Sequence, residues 1–323
     1  MPPLTNRQLL SFERAGYLVV EDVPGLPEVL ATVTREHAGV LDRLVSTLRS
    51  QGRVSSTYPG LPFGERLAAV RRETGETYSQ NFNIALPPDG VGEDTPYWAG
   101  PAVFTLLRHE ALLDVVESVI GPEVAVTPIL HVRLKPPELP ELPELPEPPG
   151  TARAGLPALA STPPHQDSSG VPPEVDTTRM VTVWLPESDV AEHNGCLRVW
   201  PGSHRHGVLP HEIAPGRTAV RREVLDGLGA PVAVPVRAGS LLLMHRRLVH
   251  ASLPNRSDAL RRSFDLRYQP SWQPSVRPFY PGFVARSRSH PRTELHDPAQ
   301  WRADWQAAKE RAVAEGTPPF HRF

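Results

Sequence analysis

His165 and Asp167 stand two residues apart in the run TPPHQDSSG. In an extended segment residues i and i+2 point to the same side, so one imidazole nitrogen and one carboxylate oxygen reach the same ion. Two histidines and one carboxylate on one face suit iron(II) and leave coordination positions open for dioxygen and a cosubstrate. A His-x-Asp pair alone is common by chance, so a second histidine has to come from elsewhere. The run LLLMHRRLVHASLPNRS offers His245 and His250. Read as one strand, it puts these two on opposite faces, so at most one of them faces the metal. Two residues further along the chain favour His250. Ser252 lies two positions on and shares its side. Arg261 comes eleven residues after His250, across the Pro254-Asn255 turn and into the next strand. A buried arginine there is the natural partner of a dicarboxylate cosubstrate, through a bidentate salt bridge. Taken singly, a strand-end histidine and a solvated arginine are the blander readings.

These residues need a scaffold of short strands. From Val124 to about Tyr268 the sequence shows short apolar runs bounded by turn signals: Val124–Leu134, Met180–Leu185, Cys196–Trp200, Pro231–Val236, Ser240–Met244 and Ser263–Tyr268. That spacing predicts an antiparallel sandwich or barrel. Asn194-Gly195 and Pro201-Gly202 read as tight turns bounding one strand. Helices flank this middle. Residues 5–16 predict a helix with a Thr5/Gln8 capping box and a Gly16 stop, followed by a strand from Tyr17 to Val20. Residues 27–50 and 108–120 carry apolar residues at helical spacing. Asp297-Pro298 reads as the cap and first residue of a last helix that carries Trp301 and Trp305 and stops at Gly316.

The fold class expected is mainly β with flanking helices, a jelly-roll core of about 124–270 in a single domain of 1–323. N-terminal helices occupy about 5–120, and a C-terminal helical extension about 271–323. Within the core, residues 136–149 read PPELPELPELPEPP. Proline blocks helix and ladder pairing, so this period-three segment is expected to be polyproline II or disordered, as an exposed insertion or a lid beside the site.

Bulk composition excludes several classes. The chain has 323 residues, 39% hydrophobic, with a formal net charge of −2. Acidic and basic residues are mixed, which argues against a nucleic-acid or membrane-surface partner. The one cysteine, Cys196, rules out an internal disulfide and argues against a cysteine-based zinc site. No signal peptide or membrane-spanning apolar stretch is apparent, so a cytoplasmic protein acting on a small molecule is expected.

Three segments together carry a family resemblance: HQD at 165–167, NGCLRVWPGSH from Asn194 to His204, and HASLPNRSDALRR from His250 to Arg262. With the opening LTNRQLLSFERAGYLVVEDV, the chain resembles the phytanoyl-CoA dioxygenase family of iron(II)- and 2-oxoglutarate-dependent oxygenases over about residues 5–270. The resemblance implies a double-stranded β-helix, a cupin-like variant of the jelly roll. It implies iron(II) held by His165, Asp167 and His250, with 2-oxoglutarate and dioxygen as cosubstrates. It further implies that Arg261 grips the far carboxylate of 2-oxoglutarate, that Ser252 assists by hydrogen bond, and that Trp184 lies against the cosubstrate. The carboxylate at Asp167 favours oxygen transfer over halogenation. Hydroxylation is the expected outcome, with desaturation, epoxidation or cyclisation starting from the same chemistry.

Further pocket candidates are Gln80, Phe82 and Asn83 in YSQNFNI, His131 and Arg133 on one face of an expected strand, and Ser168 and Ser169 after the ligand pair. For each, a surface or packing role is the commoner one. The Pro-rich insertion leans the substrate towards a secondary metabolite. Two other classes compete: a metal-binding jelly-roll sensor without catalysis, and a cupin-type metalloenzyme that needs no 2-oxoglutarate. A binding module has no need of Arg261 at that spacing, and such metalloenzymes often use three or four histidines.

Overall fold

A computed structural model describes residues 3–87, 90–138, 162–214, 217–318 and 322. The Glu-Leu-Pro repeat expected at 136–149 lies outside the described residues from position 139 onward.

The N-terminal third is helical, with α1 (Asn6–Ala15), α2 (Leu26–Ser50), α3 (Phe63–Thr74), α4 (Pro101–Leu107) and α5 (Glu110–Ile120), and one strand, β1 (Tyr17–Val20). The middle carries β2 (Glu123–Val126), β3 (His131–Lys135), β4 (Val181–Pro186), β5 (Leu197–Val199), β6 (His211–Ala214), β7 (Arg217–Val220), a short α6 (Arg222–Leu225), β8 (Val232–Val234), β9 (Leu241–His245), β10 (His250–Ser252) and β11 (Arg261–Pro270). β12 (Phe283–Ser287) and α7 (Pro298–Glu315) come last.

The local signals act as their chemistry dictates. Thr5 caps α1 with both halves of the capping box in place, and Gly16 closes it in the left-handed conformation at φ 83°. Asp297 caps α7 through Ala299 N. α2 buries a stripe that includes Leu26, Val33, Leu41 and Val45. Each such side chain contributes about 1.5–3 kcal/mol by leaving water.

Two antiparallel sheets form the core. The larger has seven strands, in the order β1-β9-β4-β11-β2-β12, with β3 also paired to β11. The smaller runs β10-β5-β8, and β6 and β7 form a separate hairpin. Trp184, Leu242 and Met244 of the large sheet pack against Leu197, Val199 and Val234 of the small one. The result is a double-stranded β-helix, or jelly roll, flanked by helices. On the other face of the large sheet, a continuous apolar cluster joins α1, α2, α4 and α5 to Val183, Phe264 and Leu266, and extends to Trp301 and Trp305 of α7.

Several expectations need correction. The run 124–134 is two strands, β2 and β3, separated by a turn at 127–130. The helix expected at 108–120 begins at Glu110, with α4 as a separate helix before it. No sequence signal announces α3, α4, β6, β7 or β12. The extension after 270 is not purely helical, because β12 pairs with β2 at the edge of the large sheet. No described helix is long and apolar enough to cross a membrane.

Candidate metal centre

His165 and His250 face each other across an isolated antiparallel bridge. His165 N donates to His250 O and His250 N to His165 O, both at 3.0 Å. A pair bonded in this way puts both side chains on one face of the ladder. Their ring centroids lie 4.3 Å apart. The backbone stays extended through Gln166, at φ −112° and ψ 139°, and then turns at Asp167–Gly170. Asp167 thereby returns to the side of His165. One ligand atom from each of His165, Asp167 and His250 lies within 4.8 Å of the others.

Gln166 points the opposite way and fixes the segment. It is fully buried. Its Nε2 donates to Gly207 O at 3.0 Å and Arg247 O at 2.5 Å, and its Oε1 accepts from Leu209 N at 2.8 Å.

The donor set fits a divalent cation. His165 Nδ1 lies 2.9 Å from Pro163 O, and His250 Nδ1 lies 3.1 Å from Leu248 O. A carbonyl only accepts, so each Nδ1 carries the proton and each Nε2 keeps its lone pair for the cleft. Burial, with the adjacent His250 next in weight, pulls His165 down to about 3, so its ring is neutral. Burial alone would raise Asp167, but Arg267, through its charge and its hydrogen bond, holds the carboxyl well below the usual carboxylate range. Arg267 meets Asp167 Oδ1 at 2.6 Å, and Thr182 donates its hydroxyl to Oδ2.

A pocket of about 370 Å³ opens in front of these atoms, lined from β3, β4, β10 and β11 among others. Arg261 is buried in its wall, with NH1 2.6 Å from Ser263 Oγ and the guanidinium carbon 5.7 Å from the Trp184 ring centroid. Burial pulls Arg261 down to about 10, so it stays cationic at neutral pH. It forms no salt bridge with a described carboxylate. Ser252 Oγ accepts from Lys135 Nζ at 2.7 Å and from Thr162 N at 2.8 Å. With its acceptor capacity used, the Ser252 hydroxyl proton is left to donate.

The sequence candidates divide here. His131, Arg133, Trp184, Ser252 and Arg261 line the pocket together with the His165–Asp167–His250 cluster, and so does Ser169. Gln80, Asn83 and Ser168 do not. Gln80 spends its amide on Ala85 O and Pro96 O. Asn83 accepts from Val132 N and donates to Ala85 O. Ser168 is buried and donates to Arg246 O at 3.0 Å. Phe82 is core. Arg133 is half-exposed and paired with Asp265 at 2.9 Å.

Strand parity sets His245 aside, but its premise fails in the structure. The chain turns at Arg246–Val249 between β9 and β10, so no single strand joins the two histidines. His245 packs on His204, with ring centroids 5.0 Å apart. Sequence reading misses Lys135, Thr182, Arg267 and Arg277. Parity holds the signal for three of them. Lys135 shares a face with Arg133, Thr182 with Trp184, and Arg267 with Arg261.

A sequence model described as phytanoyl-CoA dioxygenase (PhyH) matches residues 12–263. The chain belongs to the phytanoyl-CoA dioxygenase family. Phytanoyl-CoA dioxygenase domain-containing protein 1 of Mus musculus is 34% identical over 107 residues, 31% of this chain. That match spans only 36% of the mouse protein. Phytanoyl-CoA dioxygenase 1 of Oryza sativa subsp. japonica is 25% identical over 281 residues, covering 82% of this chain and 90% of that relative. Among solved structures, the non-heme monooxygenase ThoJ in its apo form superposes with a TM-score of 0.58 at 17% identity, over 96% of this chain and 98% of ThoJ. That likeness shows a shared fold, and the family's fold is the one seen here.

Proposed function

We propose that this chain is an iron(II)- and 2-oxoglutarate-dependent dioxygenase that hydroxylates a small organic substrate, with 1–323 acting as one oxygenase domain. The observation that carries the reading is the cluster of His165, Asp167 and His250 facing the same pocket as the buried Arg261. Bound iron(II), with 2-oxoglutarate and dioxygen as cosubstrates, supplies the oxidising chemistry, and 2-oxoglutarate leaves as succinate and carbon dioxide.

The protein's own residues do the rest. His165 and His250 each present Nε2, and Asp167 presents an anionic oxygen. Arg261 receives the far carboxylate of 2-oxoglutarate through its planar fork. The Ser252 hydroxyl donates to the same carboxylate, and Lys135 adds charge beside it. Trp184 forms the wall behind Arg261 and keeps water from that end. The pocket has to hold cosubstrate and substrate together, so its volume favours a compact substrate, in keeping with a secondary metabolite. A reducing compartment keeps iron ferrous, which supports the cytoplasmic setting.

Succinate formation tests this. Purified protein given iron(II), 2-oxoglutarate and air should release succinate beyond one equivalent, and His165→Ala and Arg261→Ala should lose it. Succinate no greater than in an iron-free control would end the proposal.

A further inference from the structure

His131 lines the pocket without belonging to the cluster of ligand atoms. It stands on β3 opposite Asp265 of β11, and Asp265 stands opposite Trp184 of β4. Directly opposite residues share a face of the sheet, so these three form one row across the pocket wall. The adjacent row holds Arg267 and Thr182, the two groups that grip Asp167. Two residues of strand separate the rows, about 6.6 Å. Lys135, opposite Arg261 at the 2-oxoglutarate end, lies about 13 Å from His131 along β3. His131 is therefore closer to the groups that hold Asp167 than to the cosubstrate anchor.

Its tautomer is set by Asn83 of the YSQNFNI run. Asn83 Oδ1 accepts from Val132 N at 3.1 Å, and its Nδ2 donates to Ala85 O at 3.1 Å. A backbone N–H only donates and a carbonyl only accepts, so the amide has one orientation. That orientation sets Nδ2 3.5 Å from His131 Nδ1 and 3.4 Å from Gln80 Oε1. An amide nitrogen only donates, so His131 Nδ1 accepts and the ring proton sits on Nε2. His165 and His250 have the opposite arrangement, with Nδ1 against a carbonyl and Nε2 left as a ligand atom. Desolvation, with the charge of Arg133 next in weight, holds His131 well below the usual histidine range, so its ring is neutral. His131 Nε2 has no hydrogen-bond partner among the described residues. The charges around it are spent, Arg267 on Asp167 and Arg133 on Asp265. Asp265 Oδ2 takes that bond, and Oδ1 is sealed from solvent. The row thus presents the His131 N–H as a donor and no open acceptor.

We propose that His131 donates its Nε2–H to a carbonyl oxygen of the substrate, and that the substrate is an uncharged carbonyl compound, such as a ketone, ester or amide. A carbonyl accepts and brings no proton of its own, whereas a hydroxyl brings one that this row cannot receive. A donor held in the wall also disfavours a substrate without the acceptor, because its N–H then loses water and gains nothing in return. Bound there, the carbon skeleton is fixed in orientation beside His165, Asp167 and His250.

The proposal rests on the dioxygenase reading, and its test separates the two. Protein is loaded without oxygen with iron(II) and 2-oxoglutarate, and the visible band of the chelate is recorded for wild type, His131→Phe and His131→Gln. The band is expected in all three at the same 2-oxoglutarate concentration, and its presence in the variants shows that the site is folded. Cyclohexanone, acetophenone and tetralone are then titrated beside cyclohexane, ethylbenzene and tetralin and beside the matching alcohols, with the band and the melting temperature as readouts. At least one ketone should shift both signals and bind about five-fold more tightly than its hydrocarbon. His131→Phe should lose that preference, and His131→Gln, which keeps an N–H donor, should retain part of it. Ketones that bind wild type no better than their hydrocarbons, a preference that survives in His131→Phe, or alcohols that bind more tightly than ketones overturn the proposal. So does a band that both variants lose or form only at higher 2-oxoglutarate, because His131 then serves the cosubstrate. A wild type without the band overturns the dioxygenase reading and this proposal with it.

Discussion

Asp167 is held from two sides before any cation arrives: Arg267 engages Oδ1 and Thr182 engages Oδ2. Such partners orient a ligand and tune its basicity, and losing one typically weakens metal binding about 10–100-fold. Thr182→Val should therefore bind iron(II) at least about ten-fold more weakly in an anaerobic titration, with an unchanged circular dichroism spectrum. Unchanged affinity would show that the hydroxyl does not serve the ligand. Arg267→Met leaves a buried carboxylate without its ion-pair partner, which typically costs about 3–5 kcal/mol. The metal-free variant should melt well below wild type, and iron(II) should recover more stability in it than in wild type. Equal melting temperatures without metal would contradict this role. The sequence shows His165 and Asp167 because their relation is local. It does not show Arg267 as a partner, because the two stand 100 positions apart and meet only where β11 sets Arg267 opposite Thr182 of β4.

β11 is the element on which the site depends. One face carries Arg261, Asp265 and Arg267 into the pocket, with Ser263 bonded to Arg261 beside them, while Phe264, Leu266 and Tyr268 on the other face join the apolar core under the helices. Arg262, on that second face, bonds Glu187 and Thr34 and approaches His37 Nδ1 at 3.2 Å, tying α2 to the sheet. Burial, then the charge of Arg262, pulls His37 down to about 3. The unfolded chain takes up this proton near pH 6.5 and the folded chain only near 3. The unfolded state thus binds more protons in that window, and stability falls as pH falls through it. The metal-free protein should lose up to about 1.4 kcal/mol per pH unit to this histidine below about pH 6. Denaturant midpoints measured from pH 7 to 4 should decline less steeply in His37→Gln; parallel declines would exclude His37 as a source. Element types are legible wherever a cap or period announces them, as at Thr5, Gly16 and Asp297. α4, β6, β7 and β12 are not, being short elements placed by tertiary pairing. His250 is selected by its spacing to Ser252 and Arg261, whereas the parity argument against His245 assumes a strand that is broken.

For the whole molecule, one apolar cluster links the N-terminal helices, the large sheet and α7. The two sheets meet around the ligand residues, so closing the site with a cation should stabilise the entire fold. At a hundred-fold excess over Kd, iron(II) should add about 2.7 kcal/mol, read as a rise in melting temperature that is absent in His165→Ala. The sequence suggests a helical appendage after residue 270. That stretch instead supplies β12 to the large sheet and Arg277 to the pocket wall, because the chain doubles back over β11 after Pro270. No sequence period signals such a return.

The central claim is a three-residue iron site that shares its pocket with a 2-oxoglutarate anchor. The most direct test is an anaerobic titration of the purified protein with iron(II) and 2-oxoglutarate, monitored by visible absorption. The account predicts the charge-transfer band of the chelate saturating at one iron per chain, absent in His165→Ala and weakened in Arg261→Ala. No band in the wild type, or a band of equal strength in both variants, would contradict it.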